Sequence, residues 1–231
     1  MISSAHGRDD ETLSLERHGA CRLNAAAVEI LPDLKTLAEP LSPARAGHRL
    51  EGNQILRGLT ARGSLLHRLA AAQIGPETTA VRALFFNKSD SANWALGWHQ
   101  DRTIAVRNRH EVDGFGPWTV KGGIDHVAPP FHILADMLTM RIHLDPVPQD
   151  NAPLLIAPGS HRLGLVAERD MAAAVAQCGT LACLADAGDV WIYATPILHA
   201  SERAQSGNRR RVLQLDFAAE ALPSPLRWRG L

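Results

Sequence analysis

From Thr79 onward the chain breaks into short runs of β-branched, aromatic and aliphatic residues separated by Pro, Gly and Asn, and this punctuation restricts the fold more than any other feature. The runs cover residues 79–86, 98–106, 138–144, 154–157, 189–193 and 210–217, with breaks such as Pro146-Val147-Pro148-Gln149-Asp150-Asn151 and Pro158-Gly159-Ser160 between them. Pro removes a ladder donor and Gly and Asn accept turn conformations, so each break ends a strand. Many short strands at such spacing predict a sandwich or barrel. Residues 1–75 lack strand alternation and are rich in Ala and Leu. Their last part, 63–74, places Leu65, Leu66, Leu69 and Ile74 on one helical face before Gly75-Pro76 stops it. The expectation is one domain over 1–231. It comprises a helical N-terminal layer (1–75) and a β core (76–220), interrupted by a Gly/Pro-rich insertion loop (108–133) and a helix near 167–177.

Composition narrows the partners. At 45% apolar residues the chain can bury a core, and its 24 basic residues balance 24 acidic ones. Zero formal net charge excludes the broad cationic field that non-specific nucleic-acid binding needs. No apolar stretch approaches the roughly 20 residues of a membrane span. Residues 1–22 carry charges where a signal peptide has its apolar centre. Cys21, Cys178 and Cys183 are odd in number and lack zinc-finger spacing, so they predict buried thiols. The reading is a soluble cytoplasmic protein with a small-molecule partner and neither nucleic acid nor membrane as partner.

Without CxxC, GxGxxG, Walker A or HExxH, the eleven histidines are where a metal would be sought. His99-Gln100-Asp101 is an H-x-D, and the two-residue period of a strand points both side chains to one face. A distant histidine, His199, would complete a two-histidine-one-carboxylate set with open positions for non-haem Fe(II). Zn²⁺ accepts the same donors. With 11 His and 14 Asp in 231 residues, chance gives about 0.7 such matches. Indeed His143-Leu144-Asp145 is another. There Asp145 precedes Pro146 and has a turn to initiate, whereas His99 and Asp101 follow a loop, where open sites are built.

Eleven residues after His199 comes Arg210, the centre of Arg209-Arg210-Arg211. Strand alternation lets one face of this triplet look inward. A buried guanidinium there would grip a carboxylate with two charge-assisted hydrogen bonds, while the bland alternative is a solvated basic patch. Trp118 and Phe115, set among glycines, either cover the site or anchor the insertion; Trp94 and Trp98 carry the same two readings.

Taken as a set, His99-Gln100-Asp101, the run from Asp150 through Pro158-Gly159-Ser160-His161-Arg162, Gly188-Asp189-Val190, and His199 followed by Arg210 resemble the phytanoyl-CoA dioxygenase family. The match runs over about residues 82–217. The resemblance implies a mainly β fold with helical additions, a double-stranded β-helix (jelly roll, cupin-like). It implies Fe(II) held by residues matching His99, Asp101 and His199, with 2-oxoglutarate and O₂ as co-substrates, and it implies that Arg210 and Ser201 hold the far carboxylate of the keto acid. The implied activity is hydroxylation of an aliphatic C–H with release of succinate and CO₂. The carboxylate Asp101 speaks for hydroxylation, because halogenating relatives lack it. A catalytically silent ligand-binding barrel is the alternative. One departure stands out: Ala152 occupies the place of the family's frequent Gly after Asn151.

Overall fold

The computed structural model describes residues 13–88, 93–205 and 208–231. Its strands are β1 (Ala20–Leu23), β2 (Gly47–Arg49), β3 (Thr79–Lys88), β4 (Leu96–His99), β5 (Ile104–Ala105), β6 (Trp118–Lys121), β7 (Ile124–Val127), β8 (Met137–His143), β9 (Leu154–Ile156), β10 (Leu181–Cys183), β11 (Val190–Ala194), β12 (His199–Ser201) and β13 (Arg210–Ala218). Helices are α1 (Leu15–His18), α2 (Leu31–Ala38), α3 (Gln54–Thr60), α4 (Leu65–Ile74), α5 (Phe131–Ala135) and α6 (Met171–Cys178). A six-stranded antiparallel sheet has the order β1-β11-β8-β13-β3-β2, and a four-stranded sheet has the order β10-β9-β12-β4. Together they are the two sheets of a jelly roll. Among the described residues no helix is long and apolar enough to cross a membrane.

Alternation in the large sheet decides what reaches its inside. Leu138, Met140 and Ile142 of β8 join Phe85, Leu213, Leu215 and Phe217 in one core cluster with Leu34, Leu37, Leu56 and Leu66 of the helices. Each such fully buried side chain contributes roughly 1.5–3 kcal/mol. The intervening residues Thr139, Arg141 and His143 face the other way and are also buried. An ordinary half-buried strand turns its polar face to water. Here the helices cover the apolar face, and the polar faces of β3, β8 and β13 line the space between the sheets.

The helices start where short polar side chains cap them. Asn53 accepts from Leu56 N at 3.0 Å at the start of α3, and Ser64 accepts from His67 N at 3.4 Å at the start of α4. The N-terminal layer is nevertheless not all helix, since β1 and β2 pair with β11 and β3 at the sheet's two edges. Strands of four and three residues are too short to display alternation in sequence. Residues 1–12 of the expected layer, and 89–92 of the loop before His99, lie outside the described residues.

Two further expectations are corrected. The segment 108–133 is not irregular: β6 and β7 form a hairpin whose two-residue turn, Gly122-Gly123, has φ +59° and +77° at the two glycines. That is the geometry a twisted two-residue hairpin demands. Second, the run 98–106 is not one strand. It breaks after His99 because the Gln100 side chain donates to Gly164 O at 2.9 Å and Pro196 O at 2.7 Å and accepts from Val166 N at 2.9 Å. Those bonds tie the chain to its neighbours in place of a ladder.

Asp189 of the Gly188-Asp189-Val190 motif is structural. Its carboxylate accepts from Ala25 N and Asp186 N, both at 2.7 Å, and from Arg22 Nη2 at 2.6 Å. Burial pushes this carboxyl up, but the two amides and the guanidinium outweigh it and hold it below the usual range. Pro158-Gly159-Ser160 works similarly: Gly159 is left-handed (φ +83°), and Ser160 Oγ accepts from Leu198 N at 2.8 Å, fixing the residue before His199.

Ala152 adopts φ +48°. A left-handed alanine costs about 1–2 kcal/mol, against the 0.4–1 kcal/mol that glycine loses in extra unfolded-state freedom. Ala152→Gly is therefore expected to stabilise the fold by about 0.5–1 kcal/mol, read as a higher urea midpoint at unchanged slope.

Candidate metal and co-substrate site

The pairing of β12 with β4 sets His199 directly opposite His99, and the two ring centroids are 4.1 Å apart. His99 Nδ1 lies 2.8 Å from Gly97 O and His199 Nδ1 lies 3.0 Å from Ile197 O. Each ring thus donates its Nδ1–H to a carbonyl, so that Nε2 is the nitrogen turned toward the other ligand candidates. Asp101 lies beyond the end of β4, so strand period does not orient it as expected; Arg82 does. Ligand atoms from His99, Asp101 and His199 all fall within 4.8 Å of one another.

Arg82 is the residue that sequence reasoning missed here. From β3 it donates Nη2–H to Asp101 Oδ2 at 2.9 Å and Nε–H to Asp216 Oδ2 of β13. Burial pushes the Asp101 carboxyl up, but Arg82 and the two imidazoles outweigh it and hold the carboxyl below its usual range. Burial brings His199 down to about 4, so its ring is neutral at pH 7, the form that ligates a metal. Arg82→Met leaves Asp216 buried without its cation and is expected to cost about 3–5 kcal/mol of stability, measured by denaturant unfolding. The readable signal was the period of two along residues 82–88, which puts Arg82, Leu84, Phe86 and Lys88 on one face.

The triad opens into a cavity of about 140 Å³ whose other walls include Arg210, Ser201, Arg141, Phe86 and Trp94. Arg210 is almost fully buried. Its Nη1 donates to Ala152 O at 2.5 Å, and its Nε has no hydrogen-bond partner among the described residues. Burial and the nearby charge of Arg141 bring its pKa down to about 9. Its neighbours point elsewhere: Arg211 donates Nε–H and Nη2–H to Asp145 at 2.9 and 2.6 Å, and Arg209 donates to Asn87 Oδ1 at 3.1 Å. The rival H-x-D is not gathered into a ligand cluster: Asp145 pairs with Arg211, and His143 lies buried and belongs to no ligand cluster among the described residues.

Of the aromatic residues, Trp94 lines the cavity. Trp98 packs instead on Ala157, Val166, Met171 and Leu198. Phe115 and Trp118 belong to a separate cluster with Val127, Leu134 and Leu226, so they anchor the 108–133 segment and do not line the site.

Comparison with known proteins settles the class. The family model of phytanoyl-CoA dioxygenase (PhyH) matches residues 42–212. The chain belongs to the phytanoyl-CoA dioxygenase family. It is therefore an enzyme of the non-haem iron, 2-oxoglutarate-dependent dioxygenase class. A search of curated proteins gave no match. Solved structures show the same fold at low identity. EctD from S. alaskensis in its apoform is 18% identical, with TM-score 0.64 over 95% of this chain and 82% of that one. AviO1 from Streptomyces viridochromogenes Tue57 is 21% identical, with TM-score 0.62 over 90% and 93%. HygX from Streptomyces hygroscopicus, with nickel and 2-oxoglutarate bound, is 12% identical, with TM-score 0.61 over 93% and 87%. The phytanoyl-CoA dioxygenase family member described here thus has the double-stranded β-helix its sequence implies.

Proposed function

We propose that the chain hydroxylates an aliphatic C–H of a small organic substrate, using Fe(II), 2-oxoglutarate and O₂ and releasing succinate and CO₂. The observation that carries this reading is one cavity with two imidazoles and a carboxylate at one end and a buried guanidinium without an acidic partner among the described residues at the other. The donor set fits Fe(II): three protein ligands on one face leave positions for a bidentate keto acid and for O₂. EctD from S. alaskensis has been crystallised with bound Fe and with 2-oxoglutarate and 5-hydroxyectoine, which are ligands of the same kinds.

Bound Fe(II) would supply the O₂ activation that drives oxidative decarboxylation of the keto acid. The chain's own residues do the rest. His99, Asp101 and His199 present their donors as a fixed set, because the two Nδ1–H groups are committed to carbonyls and Asp101 is held by Arg82. Arg210, with Ser201, takes the far carboxylate of 2-oxoglutarate through charge-assisted hydrogen bonds. Leu84, Phe86 and Leu154 line the cavity between these ends and exclude water from it. We place the activity in a single domain, because helices and large sheet share one core cluster, and in the cytoplasm, with no nucleic-acid or membrane partner.

The test is succinate release from 2-oxoglutarate in the presence of Fe(II), O₂ and ascorbate, with a panel of small organic substrates. Iron-dependent succinate formation that one substrate stimulates, with that substrate gaining one oxygen atom by mass, supports the reading. Failure to bind 2-oxoglutarate and to form succinate leaves a silent barrel, and hydrolysis supported by Zn²⁺ alone would reassign the metal.

A further inference from the structure

Arg141 stands in the middle of β8, opposite Gln214 of β13 on one side and Trp191 of β11 on the other. It is 6% exposed and lines the cavity together with the triad. Its guanidinium carbon lies 5.2 Å from the centre of the Phe86 ring, within cation–π range. Its Nη1 lies 3.4 Å from Gln214 Oε1, at the outer limit of a hydrogen bond, and its Nε is buried with no hydrogen-bond partner among the described residues. The two carboxylates at this end of the cavity, Asp101 and Asp216, are both held by Arg82. Burying a guanidinium is costly unless an anion meets it.

Position separates this arginine from Arg210. Along β13 the rung of Arg141 is four residues from Arg210 and two from Asp216, which is roughly 13–14 Å from the former and half of that from the latter. Arg141 thus rises nearer the metal end of the cavity, away from the arginine assigned to the far carboxylate of the keto acid.

We propose that Arg141 receives an anionic group of the primary substrate, and that this substrate is a small organic monocarboxylate. This rests on the reading of the cavity as an Fe(II) and 2-oxoglutarate site. With both bound, the two charges of the metal and that of Arg210 offset Asp101 and the two carboxylates of the keto acid, while Arg82 offsets Asp216. Lys88, at the Arg210 end, is brought down to about 7, chiefly by burial, and is only partly charged near pH 7. The full charge left over is that of Arg141. One carboxylate cancels it, whereas a phosphate dianion would exceed it. The planar fork offers two N–H groups to such an acid, and Phe86 backs it so that its orientation is set before the acid arrives.

The experiment is calorimetry on the Ni²⁺-loaded full chain without O₂, first titrated with 2-oxoglutarate and then, once saturated with it, with straight-chain carboxylic acids of four to eight carbons and with their primary amides. Wild type, Arg141→Met and Arg141→Lys are compared. We expect at least one of the acids to bind wild type tenfold or more tightly than its amide. Arg141→Met should abolish that difference while keeping 2-oxoglutarate within threefold, and Arg141→Lys, which keeps the charge without the fork, should retain part of it. No acid binding wild type better than its amide, or a difference that survives in Arg141→Met, would overturn the proposal; the wild-type comparison decides even if the methionine variant fails to fold. A tenfold loss of 2-oxoglutarate itself in Arg141→Met would give Arg141 to the keto acid instead and overturn it too. Failure of wild type to bind 2-oxoglutarate is the separate result that would overturn the oxygenase reading beneath it.

Discussion

Asp101→Ala is expected to abolish iron-dependent succinate formation while leaving the fold intact. Two imidazoles remain, but the only carboxylate of the cluster is gone. Arg82 is not stranded, because its other hydrogen bond, to Asp216, persists. The change therefore separates site from fold: turnover should fall to background, while the unfolding free energy read from urea titration changes by about 1 kcal/mol or less, the scale of one hydrogen bond to a half-buried group. Retained turnover in this variant would remove Asp101 from the site.

The second large effect is at the opposite end of the cavity. Arg210→Met should weaken 2-oxoglutarate binding by about 2–4 kcal/mol, the cost of losing one partner of a desolvated charge pair, or roughly 30- to 1000-fold. Arg211→Met is the control. Its guanidinium is held by Asp145 on the other face of β13, so it should alter stability and leave the affinity for 2-oxoglutarate unchanged. Titration of both variants decides which arginine is the clamp, and a loss confined to Arg211→Met would reassign it.

Legibility in the sequence followed length and period. Strands of five residues or more, such as β3, β8 and β13, announce themselves by composition and by the breaks that bound them. Helix α4 shows its face through Leu66 and Leu69. Shorter strands do not: β12 has three residues, and only its partners β4 and β9 make it a strand. The Gly122-Gly123 hairpin was readable, since two glycines between Trp118-Thr119-Val120-Lys121 and Ile124-Asp125-His126-Val127 are a turn signal, but the surrounding Gly and Pro masked it.

At the site, motif residues could be named because the family resemblance ordered them, and spacing alone could not have separated His99 from His143. Supporting residues carry no motif. Arg82, Lys88 and Arg141 look in sequence like ordinary charges on the wet side of amphipathic strands. Their inward direction depends on the helices having taken the opposite face of the sheet, a tertiary fact that no local pattern encodes. The same holds for Gln100, whose three hydrogen bonds end β4 and which reads only as the middle letter of H-x-D.

His199 and Ser201 are alternate residues of one strand, so their Cα atoms stand one pleat repeat apart, roughly 6.6–6.8 Å. The continuous ladder to β9, from His199 opposite Ile156 to Ser201 opposite Leu154, keeps that interval from stretching, while the pairing with β4 shifts register between the two residues. On the reading proposed above, the strand acts as a ruler whose two marks are the imidazole that would face the metal and the hydroxyl that would meet the anion. Keto diacids one methylene shorter or longer than a five-carbon chain are then expected to bind more weakly than 2-oxoglutarate, a discrimination that would reside in the pitch of a strand.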